Sequence, residues 1–390
     1  MSRLQRWMAT LVGLGIGFAA ASAVAQETFK MANLSAMSGP AAAFGIGINR
    51  GMELAADDIG TFTVAGKPYK LQVVPYDTGF DPGRTVAGLN RAVLNDNIKY
   101  GVILGAAVHG AVLPIIRQNG FFDIFIGGAG KDITNPENPT VFRFMASSDQ
   151  LYYTFTPAIY QKLGIKRVAF IGPNNDLGRA DVRVLKEMAG KLKGQGVEFV
   201  GEELVEINAK DFQATLLRLL AKNPDAIDTN AAPTGTVGLI AKQARELGYK
   251  GYFISSTAVL EAKALVDIAG KGADNIVAYR IWAKPPTKLY EEVAARNLKK
   301  YNEPPLAITW ETYGAVRWVV EAIQKAGTFD TKKVAEQLAS SESQFHPFGP
   351  ASWGGQQAYG TKRQIQTPLP ASIIRNGKWE ALDVRMSTFE

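Results

Sequence analysis

The chain has 390 residues, of which 46% are hydrophobic and 20% are charged, and its formal net charge is +7. Such a length and composition are typical of a globular protein with about two domains. The sequence contains no cysteine, which excludes disulfides, thiolate metal sites and a cysteine nucleophile. The basic residues are scattered instead of forming a basic run with interleaved aromatics, so nucleic-acid binding is not expected.

The first 25 residues have the features of a cleavable export signal. Arg3 and Arg6 precede an apolar segment from residue 8 to residue 21, and Ala23-Val24-Ala25 forms an A-x-A cleavage site before Gln26. A membrane anchor is the alternative, but the apolar segment is shorter than the ~20 residues that a span needs. No cysteine follows the cleavage site, which excludes a lipid-anchored N-terminus. We therefore expect a mature protein that begins near Gln26 and is free in a bacterial periplasm.

From Thr28 to about Ile281, short apolar segments alternate with longer amphipathic ones, which predicts a mostly parallel sheet covered by helices. The predicted strands comprise residues 29–34, 71–75, 101–104, 124–126, 167–171, 226–229, 252–254 and 276–279. Amphipathic helices are predicted at residues 45–59, 211–221 and 236–247, and Gly248 is a typical helix stop. After Pro285-Pro286, helices are predicted at residues 288–301, 309–326 and 331–340, followed by a strand at 372–375.

This alternation indicates two α/β blocks of similar size that meet near residues 145–148, with the chain returning to the first block after Ile281. The predicted boundaries are a signal peptide at 1–25, a first lobe at 26–145 plus 282–365, and a second lobe at 146–281 plus 366–390. In open parallel sheets, ligands bind beyond the carboxyl ends of the strands. The predicted contact loops therefore follow Leu34, Leu104, Ile126, Ile171, Thr229 and Ile254.

The loop from Ser38 to Gly45 lies between a predicted strand and a predicted helix. Backbone N–H groups at the start of a helix have no helical carbonyl partner, so an anion such as a carboxylate can dock there. Behind an export signal, such a loop indicates a protein that captures a small solute.

Two glycine patterns resemble nucleotide-binding motifs without matching them. Gly45, Gly47 and Gly51 have the wrong spacing for a dinucleotide fingerprint and do not directly follow a predicted strand. The glycine-rich segment 127–131 has no Ser or Thr after Lys131, which favours a flexible loop that lets backbone approach a ligand. We therefore predict no cofactor.

The sequence has two histidines, His109 and His346, with no adjacent nucleophile and no metal-ligand spacing. A metal site and Ser-His catalysis are therefore not predicted. The loops at the expected cleft offer no evident nucleophile, base and oxyanion set, so we expect no enzyme. His109 follows the predicted strand 101–104, where it would either bond a ligand or cap and pack within the fold.

Five segments together carry a resemblance to a known family. They are Met37-Ser38-Gly39-Pro40-Ala41-Ala42-Ala43-Phe44-Gly45, Gly105-Ala106-Ala107-Val108-His109-Gly110-Ala111, Thr134-Asn135-Pro136-Glu137 leading to Val141-Phe142-Arg143, Lys242-Gln243-Ala244-Arg245-Glu246-Leu247-Gly248, and Tyr313-Gly314-Ala315-Val316-Arg317. Over essentially the whole mature chain, the sequence resembles the bacterial Leu/Ile/Val-binding family, the solute receptors of ABC transporters with the type I periplasmic binding fold.

The resemblance implies an α/β protein of two lobes, each a mostly parallel sheet flanked by helices, joined by three hinge crossovers. The lobes close on a small solute, and the loaded protein, expected to be a monomer, docks on an ABC permease in the inner membrane. Carried over by position, the ligand-binding residues are Ser38, Phe44, Ala107, Val108, His109, Gly110, Ala129 and Lys131 in the first lobe, and Leu177, Asn230 and Thr257 in the second.

The sequence departs from the family pattern at several of these positions. His109 and Lys131 stand where amino-acid binders of the family usually have a serine and a threonine, and Leu177 stands where an aromatic residue is expected. Thr257 aligns with the acid that binds the ammonium group of an amino acid. Since a buried ammonium without a carboxylate partner is costly, these departures favour a carboxylate that lacks the amino group, such as a hydroxybenzoate or a cinnamate.

Two alternatives remain open at this point. Glu261 or Asp176 could supply the missing acid, in which case the ligand would be a branched-chain or other aliphatic amino acid. The same fold could also serve a periplasmic sensor that signals to a membrane receptor. The presence of permease and ATPase genes beside the gene would distinguish an importer subunit from a sensor.

Overall fold

The structure is a computed structural model that describes residues 26–39, 41–128, 133–206, 209–230, 232–255 and 262–389, with the backbone alone at 176 and 262. The predicted signal peptide, residues 1–25, lies outside the described residues. None of the helices in the described ranges combines the length and the apolar character that a membrane span requires.

In the described residues the chain forms strands and helices in alternation. The strands are β1 (Glu27–Ser35), β2 (Thr61–Val64), β3 (Lys67–Asp77), β4 (Tyr100–Leu104), β5 (Phe122–Ile126), β6 (Val141–Arg143), β7 (Arg167–Pro173), β8 (Glu198–Val205), β9 (Ala226–Asp228), β10 (Tyr252–Ser255), β11 (Ile276–Tyr279), β12 (Ser352–Gly354), β13 (Gln364–Gln366), β14 (Pro368–Arg375) and β15 (Lys378–Met386). The helices are α1 (Ala42–Ile59), α2 (Pro82–Asn90), α3 (Ala106–Asn119), α4 (Ser148–Leu163), α5 (Asp176–Lys191), α6 (Gln213–Leu220), α7 (Thr234–Glu246), α8 (Ala262–Ala269), α9 (Lys288–Tyr301), α10 (Ala307–Ala326), α11 (Thr331–Ala339) and α12 (Gln356–Tyr359).

The described strands form two sheets, one for each lobe. The first has the order β12-β13-β6-β5-β4-β1-β3-β2 and the second the order β15-β14-β11-β10-β9-β7-β8. Pairing is parallel through the middle of both sheets, and antiparallel pairs occur toward the edges, at β2–β3, β12–β13, β11–β14 and β14–β15. The predicted two-lobed α/β fold with mostly parallel sheets is confirmed, and each predicted strand lies within or largely within an observed one.

Three crossovers join the lobes, and hydrogen bonds link the first crossover to the third and the second to β14. The first crossover leads from β6 into α4, which begins with a capping box between Ser147 and Gln150. The Gln150 side-chain amide also donates to the carbonyls of Ile365, at the third crossover, and Ser387, both at 2.8 Å. At the second crossover, after β11, the Ile281 carbonyl accepts a 2.6 Å hydrogen bond from Ser372 of β14. The three predicted crossovers are therefore confirmed and lie side by side.

The glycines of α1 explain the pattern that resembles a nucleotide fingerprint. A Cβ atom at Gly45 would overlap the backbone carbonyl oxygen of Ala36, directly after β1. At Gly47 it would lie 2.7 Å from Ile308 Cγ2, and at Gly51 2.5 Å from the Thr309 carbonyl oxygen. These glycines let α1 pack closely on the end of β1 and on α10, so the pattern has a packing role.

The second histidine belongs to the core of the first lobe. His346 is buried against Gly314 of α10, and burial lowers its pKa to about 3. Its Nδ1 accepts the Phe348 N–H at 3.2 Å. A neutral, buried imidazole of this kind has a packing role within the fold.

Replacement of Gly45 by alanine tests the close packing of α1. We expect Gly45→Ala to lower the free energy of unfolding by about 1–3 kcal/mol, because backbone must shift to make room for the methyl group. Chemical denaturation of the ligand-free protein measures the change. In the matched control, Gly190→Ala in α5, the new methyl group meets nothing within 4 Å, so stability should be unchanged or slightly higher. Equal stability of both variants would contradict the close packing of α1 on the end of β1.

Candidate ligand-binding cleft

The carboxyl edges of the two sheets face each other. Beyond the carboxyl end of β5, the Gly128 carbonyl accepts the Ser148 N–H, at the start of α4, at 2.9 Å. At the carboxyl end of β11, Arg280 forms a buried ion pair with Glu311 of α10, in the opposite lobe. Both lobes thus meet through the edge at which parallel sheets bind ligands. The cleft between these edges is the candidate site.

Asp77, at the end of β3, holds together the segment after β1 and the loop after β3, which form part of the first-lobe side of the cleft (the first-lobe wall). Its carboxylate accepts the Ser38 hydroxyl at 2.5 Å, the Met37 N–H at 2.9 Å and the Gly79 N–H at 3.0 Å. The guanidinium of Arg84 contacts it at 3.1 Å. The hydrogen bond from Ser38 is the main reason that the pKa of Asp77 is well below its usual range. The Ser38 hydroxyl proton is therefore engaged, although its oxygen can still accept a hydrogen bond.

The start of α1 offers fewer free donors than the sequence predicts for the loop from Ser38 to Gly45. The Ala42 N–H donates to the Gly39 carbonyl and the Phe44 N–H donates to the Ala41 carbonyl, both at 3.1 Å. The Phe44 side chain is half-buried and packs on the core of the first lobe. This loop forms part of the wall, but its first N–H groups are partly satisfied within the loop.

The first turn of α3 is a better anion-binding candidate. Gly105 precedes the helix with φ 93°, and no side chain among the described residues caps this end. Ala107 and Gly110 are exposed, whereas the Val108 side chain is buried in the core. A Cβ atom at Gly127 would lie 3.3 Å from the Ala106 nitrogen, so the loop after β5 runs beside this turn. Backbone donors at a helix start, flanked by a glycine loop, suit a carboxylate.

His109 does not face the cleft, which corrects its prediction as a ligand contact. The side chain is fully buried, and its ring lies 4.2 Å from the Phe125 ring, centroid to centroid. Its Nδ1 is 2.7 Å from the Gly105 carbonyl oxygen, and its Nε2 is 2.9 Å from Asp123 Oδ2. Burial raises the pKa of Asp123. With both ring nitrogens engaged, His109 has the packing role that the sequence left open.

Several predicted contacts lie outside the described residues. These are Ala129 and Lys131 in the first lobe and Thr257 in the second, together with the alternative acid Glu261. Asp176 is described by its backbone alone, as the first residue of α5. The roles of these side chains stay predictions.

Leu177 and Asn230 both lie at the carboxyl edge of the second sheet. Leu177, in the first turn of α5, is 38% exposed, which leaves its side chain available to the cleft. Asn230 follows β9 and is buried, and its N–H donates to Asp228 Oδ1 at 2.9 Å. The Asn230 carbonyl oxygen is 3.2 Å from the position of a Cβ atom at Gly172 of β7. The structure brings these two residues to one edge, and their contact with a ligand stays a prediction.

The sequence reasoning missed two features of this cleft. Phe80 has φ 63° and is 40% exposed, and its ring covers Gly105. In the second lobe, burial raises the pKa of Asp228 to about 7 and that of Asp181, in α5, well above its usual range. An available signal for Asp228 was its position at the end of a predicted strand. For Phe80, neither the backbone angle nor the ring position can be read from the sequence.

A family model described as periplasmic binding protein matches residues 28–368. The chain belongs to this family. The Leu/Ile/Val-binding protein of Escherichia coli is 27% identical over 336 residues, which is 84% of this chain and 87% of that protein. The match covers nearly all of the first sheet and the second sheet up to β11, whereas β14 and β15 lie almost entirely beyond it.

Solved structures with low sequence identity share the periplasmic binding fold. A solute-binding protein of an ABC transporter from Rhodopseudomonas palustris, in complex with 3,4-dihydroxybenzoic acid, has a TM-score of 0.75 and 23% identity, and the match covers 92% of this chain and 98% of that one. A branched-chain amino acid transporter substrate-binding protein from Streptococcus pneumoniae, in complex with isoleucine, has a TM-score of 0.74 and 19% identity, covering 93% and 99%. At this identity, the similarity shows the fold alone.

A structural role for His109 predicts a stability effect. We expect His109→Ala to lower the free energy of unfolding by roughly 3–5 kcal/mol, because it removes a fully buried ring and leaves Asp123 Oδ2 without its hydrogen bond to the imidazole. Thermal and chemical denaturation of the ligand-free protein measure this loss. Unchanged stability combined with weaker ligand binding would return His109 to the ligand site.

Proposed function

We propose that this protein is the solute-binding subunit of an ABC importer and that it captures a small carboxylate between its lobes. The observation that carries this proposal is the uncapped first turn of α3, with exposed Ala107, at the carboxyl edge beside Gly127. Family membership supports solute binding. The predicted export signal, a periplasmic location, the absence of catalysis, a monomeric state and docking on an inner-membrane permease are parts of the same proposal.

The favoured ligand is an aromatic acid of the hydroxybenzoate or cinnamate type. Thr257 stands where the family has an acid for the ammonium group. Of the acids described in the second lobe, Asp228 has a pKa of about 7. Burial disfavours the charged form of this carboxyl group, so an ammonium bound beside it would have to offset that desolvation cost.

Proteins similar to this chain are associated with each of the two ligand classes. The Rhodopseudomonas palustris structure contains 3,4-dihydroxybenzoic acid, which supports the aromatic acid. The name of the Escherichia coli relative supports the alternative, an aliphatic amino acid held by Glu261 or Asp176.

In this proposal, each lobe supplies one wall. The first-lobe wall comprises Ser38, Phe44, Ala107, Gly110, Ala129 and Lys131, with backbone from Val108, and the second-lobe wall comprises Leu177, Asn230 and Thr257. The lobes divide at residues 145, 281 and 365. Closure removes water from around the carboxylate and strengthens each polar contact that it makes.

A melting screen tests the ligand class. Because a ligand that binds the native state raises its stability, benzoate, 4-hydroxybenzoate and cinnamate should raise the melting temperature more than leucine, isoleucine or valine. Differential scanning fluorimetry with each compound at the same concentration provides the comparison. A shift with the aliphatic amino acids alone would refute the inference from Thr257.

Lys131 provides a second test, because it is the proposed cation beside the carboxylate. We expect Lys131→Ala to weaken the binding of the best carboxylate in the screen by about 1.5–3 kcal/mol, the usual contribution of a charged hydrogen bond. Isothermal titration calorimetry measures the loss. The matched control is Lys332→Ala, an exposed lysine of α11, whose neighbour Thr331 bonds the far end of α3. Equal affinity of both variants would remove Lys131 from the site.

A further inference from the structure

Phe80 is an aromatic residue in a backbone conformation that bulky side chains rarely adopt. Its φ angle is 63°, in the left-handed region, where a side chain of this size is a genuine outlier. Such a conformation persists when the surrounding structure over-determines it, and such residues cluster at ligand sites. The positive φ of Phe80 must therefore be imposed by its surroundings.

The loop around Phe80 is held by hydrogen bonds from both directions. The Phe80 N–H donates to the Thr78 hydroxyl at 3.3 Å, and the Asp81 N–H donates to the Thr78 carbonyl at 3.0 Å. Arg84 of α2 donates to the Asp77 carbonyl at 2.9 Å. Asp81 then caps α2, accepting the Arg84 N–H at 2.7 Å. These contacts fix the backbone on both sides of Phe80.

The consequence of this conformation is the position of the ring. A Cβ atom at Gly105 would lie 2.6 Å from Phe80 Cζ and closer still to Cε2, so the ring lies directly over the Gly105 backbone. Gly105 precedes the first turn of α3, the proposed carboxylate site. The residue remains 40% exposed, so part of the ring is not covered by protein. An aromatic surface thus lies beside the backbone donors of α3.

We infer that Phe80 is a specificity-determining residue that stacks against the ring of a bound benzoate-type acid. This inference rests on the proposed function and narrows it. In a benzoate the ring is bonded directly to the carboxylate, so anchoring the carboxylate at the first turn of α3 keeps the ring next to Phe80. In a cinnamate two further carbons separate the ring from the carboxylate and carry it away from Phe80. Offset or edge-to-face contact between the two rings favours aromatic over saturated ligands.

The test compares benzoate with cyclohexanecarboxylate, which has the same anchor and nearly the same size but no aromatic face. Calorimetric titrations use the mature chain and the variants Phe80→Leu and Phe80→Tyr. We expect Phe80→Leu to weaken benzoate binding by about three- to tenfold, the range for an aromatic pair, and to leave cyclohexanecarboxylate and cinnamate much less affected. Phe80→Tyr should retain the preference for benzoate, because the ring is kept.

Two further variants control for indirect effects. Phe345→Leu makes the same substitution at an aromatic residue that is 59% exposed, in a surface pocket with Arg317 and Glu321, and should leave both affinities unchanged. If the Phe80→Leu substitution distorts the loop, the binding test uses the variant Phe80→Gly instead, because glycine adopts a positive φ without strain. It should show the same selective loss of benzoate affinity.

The possible outcomes separate this inference from the proposed function. In one outcome the unaltered protein binds benzoate, and Phe80→Leu either lowers the affinities for benzoate and cyclohexanecarboxylate equally or changes neither of them. Phe80 then has a structural role only, and the inference is wrong while the proposed function stands. If the unaltered protein binds none of these carboxylates, the proposed function is wrong and the inference falls with it.

Discussion

The structure depends on hydrogen bonds that hold the three crossovers together. Gln150 binds the backbone at Ile365 and Ser387 with its amide group while its oxygen accepts the Ser147 N–H at 2.9 Å. The buried pair of Arg280 and Glu311 adds a contact from one lobe to the other. Since breaking a buried polar network is costly, the crossovers form a fixed axis. These contacts keep the carboxyl edges of the two sheets opposite each other.

The first-lobe wall depends in a similar way on one carboxylate. Asp77 gathers the segment after β1 and the loop after β3, because it accepts hydrogen bonds from Met37, Ser38 and Gly79. The loop after β3 also carries Phe80. Asp77 therefore holds in place both the segment with Ser38 and the loop with the Phe80 ring. Asp77 thus positions both segments through hydrogen bonds to their backbone and to the Ser38 hydroxyl.

Much of the fold could be predicted from the sequence, because central strands such as β4 and β5 are fully buried and read as short apolar runs. The strands β8 and β15 were missed because they lie at sheet edges and are only partly buried. The site was harder to predict. The hydrogen-bond partner of His109 is Asp123, which lies on β5. Sequence spacing alone does not reveal which side of the first turn of a helix faces the core. The conformation of Phe80 comes from hydrogen bonds within residues 77–84, but a bulky residue there gives no sequence signal of a positive φ.

The burial of the hinge contacts has a consequence for how the protein responds to its surroundings. Dissolved ions weaken attraction between exposed charges over about 10 Å at moderate ionic strength, but they act far less on buried pairs. Arg280 and Glu311 are each 3% exposed at the side chain, and Gln150 is fully buried. These contacts between the lobes should therefore keep their strength as the salinity of the medium changes.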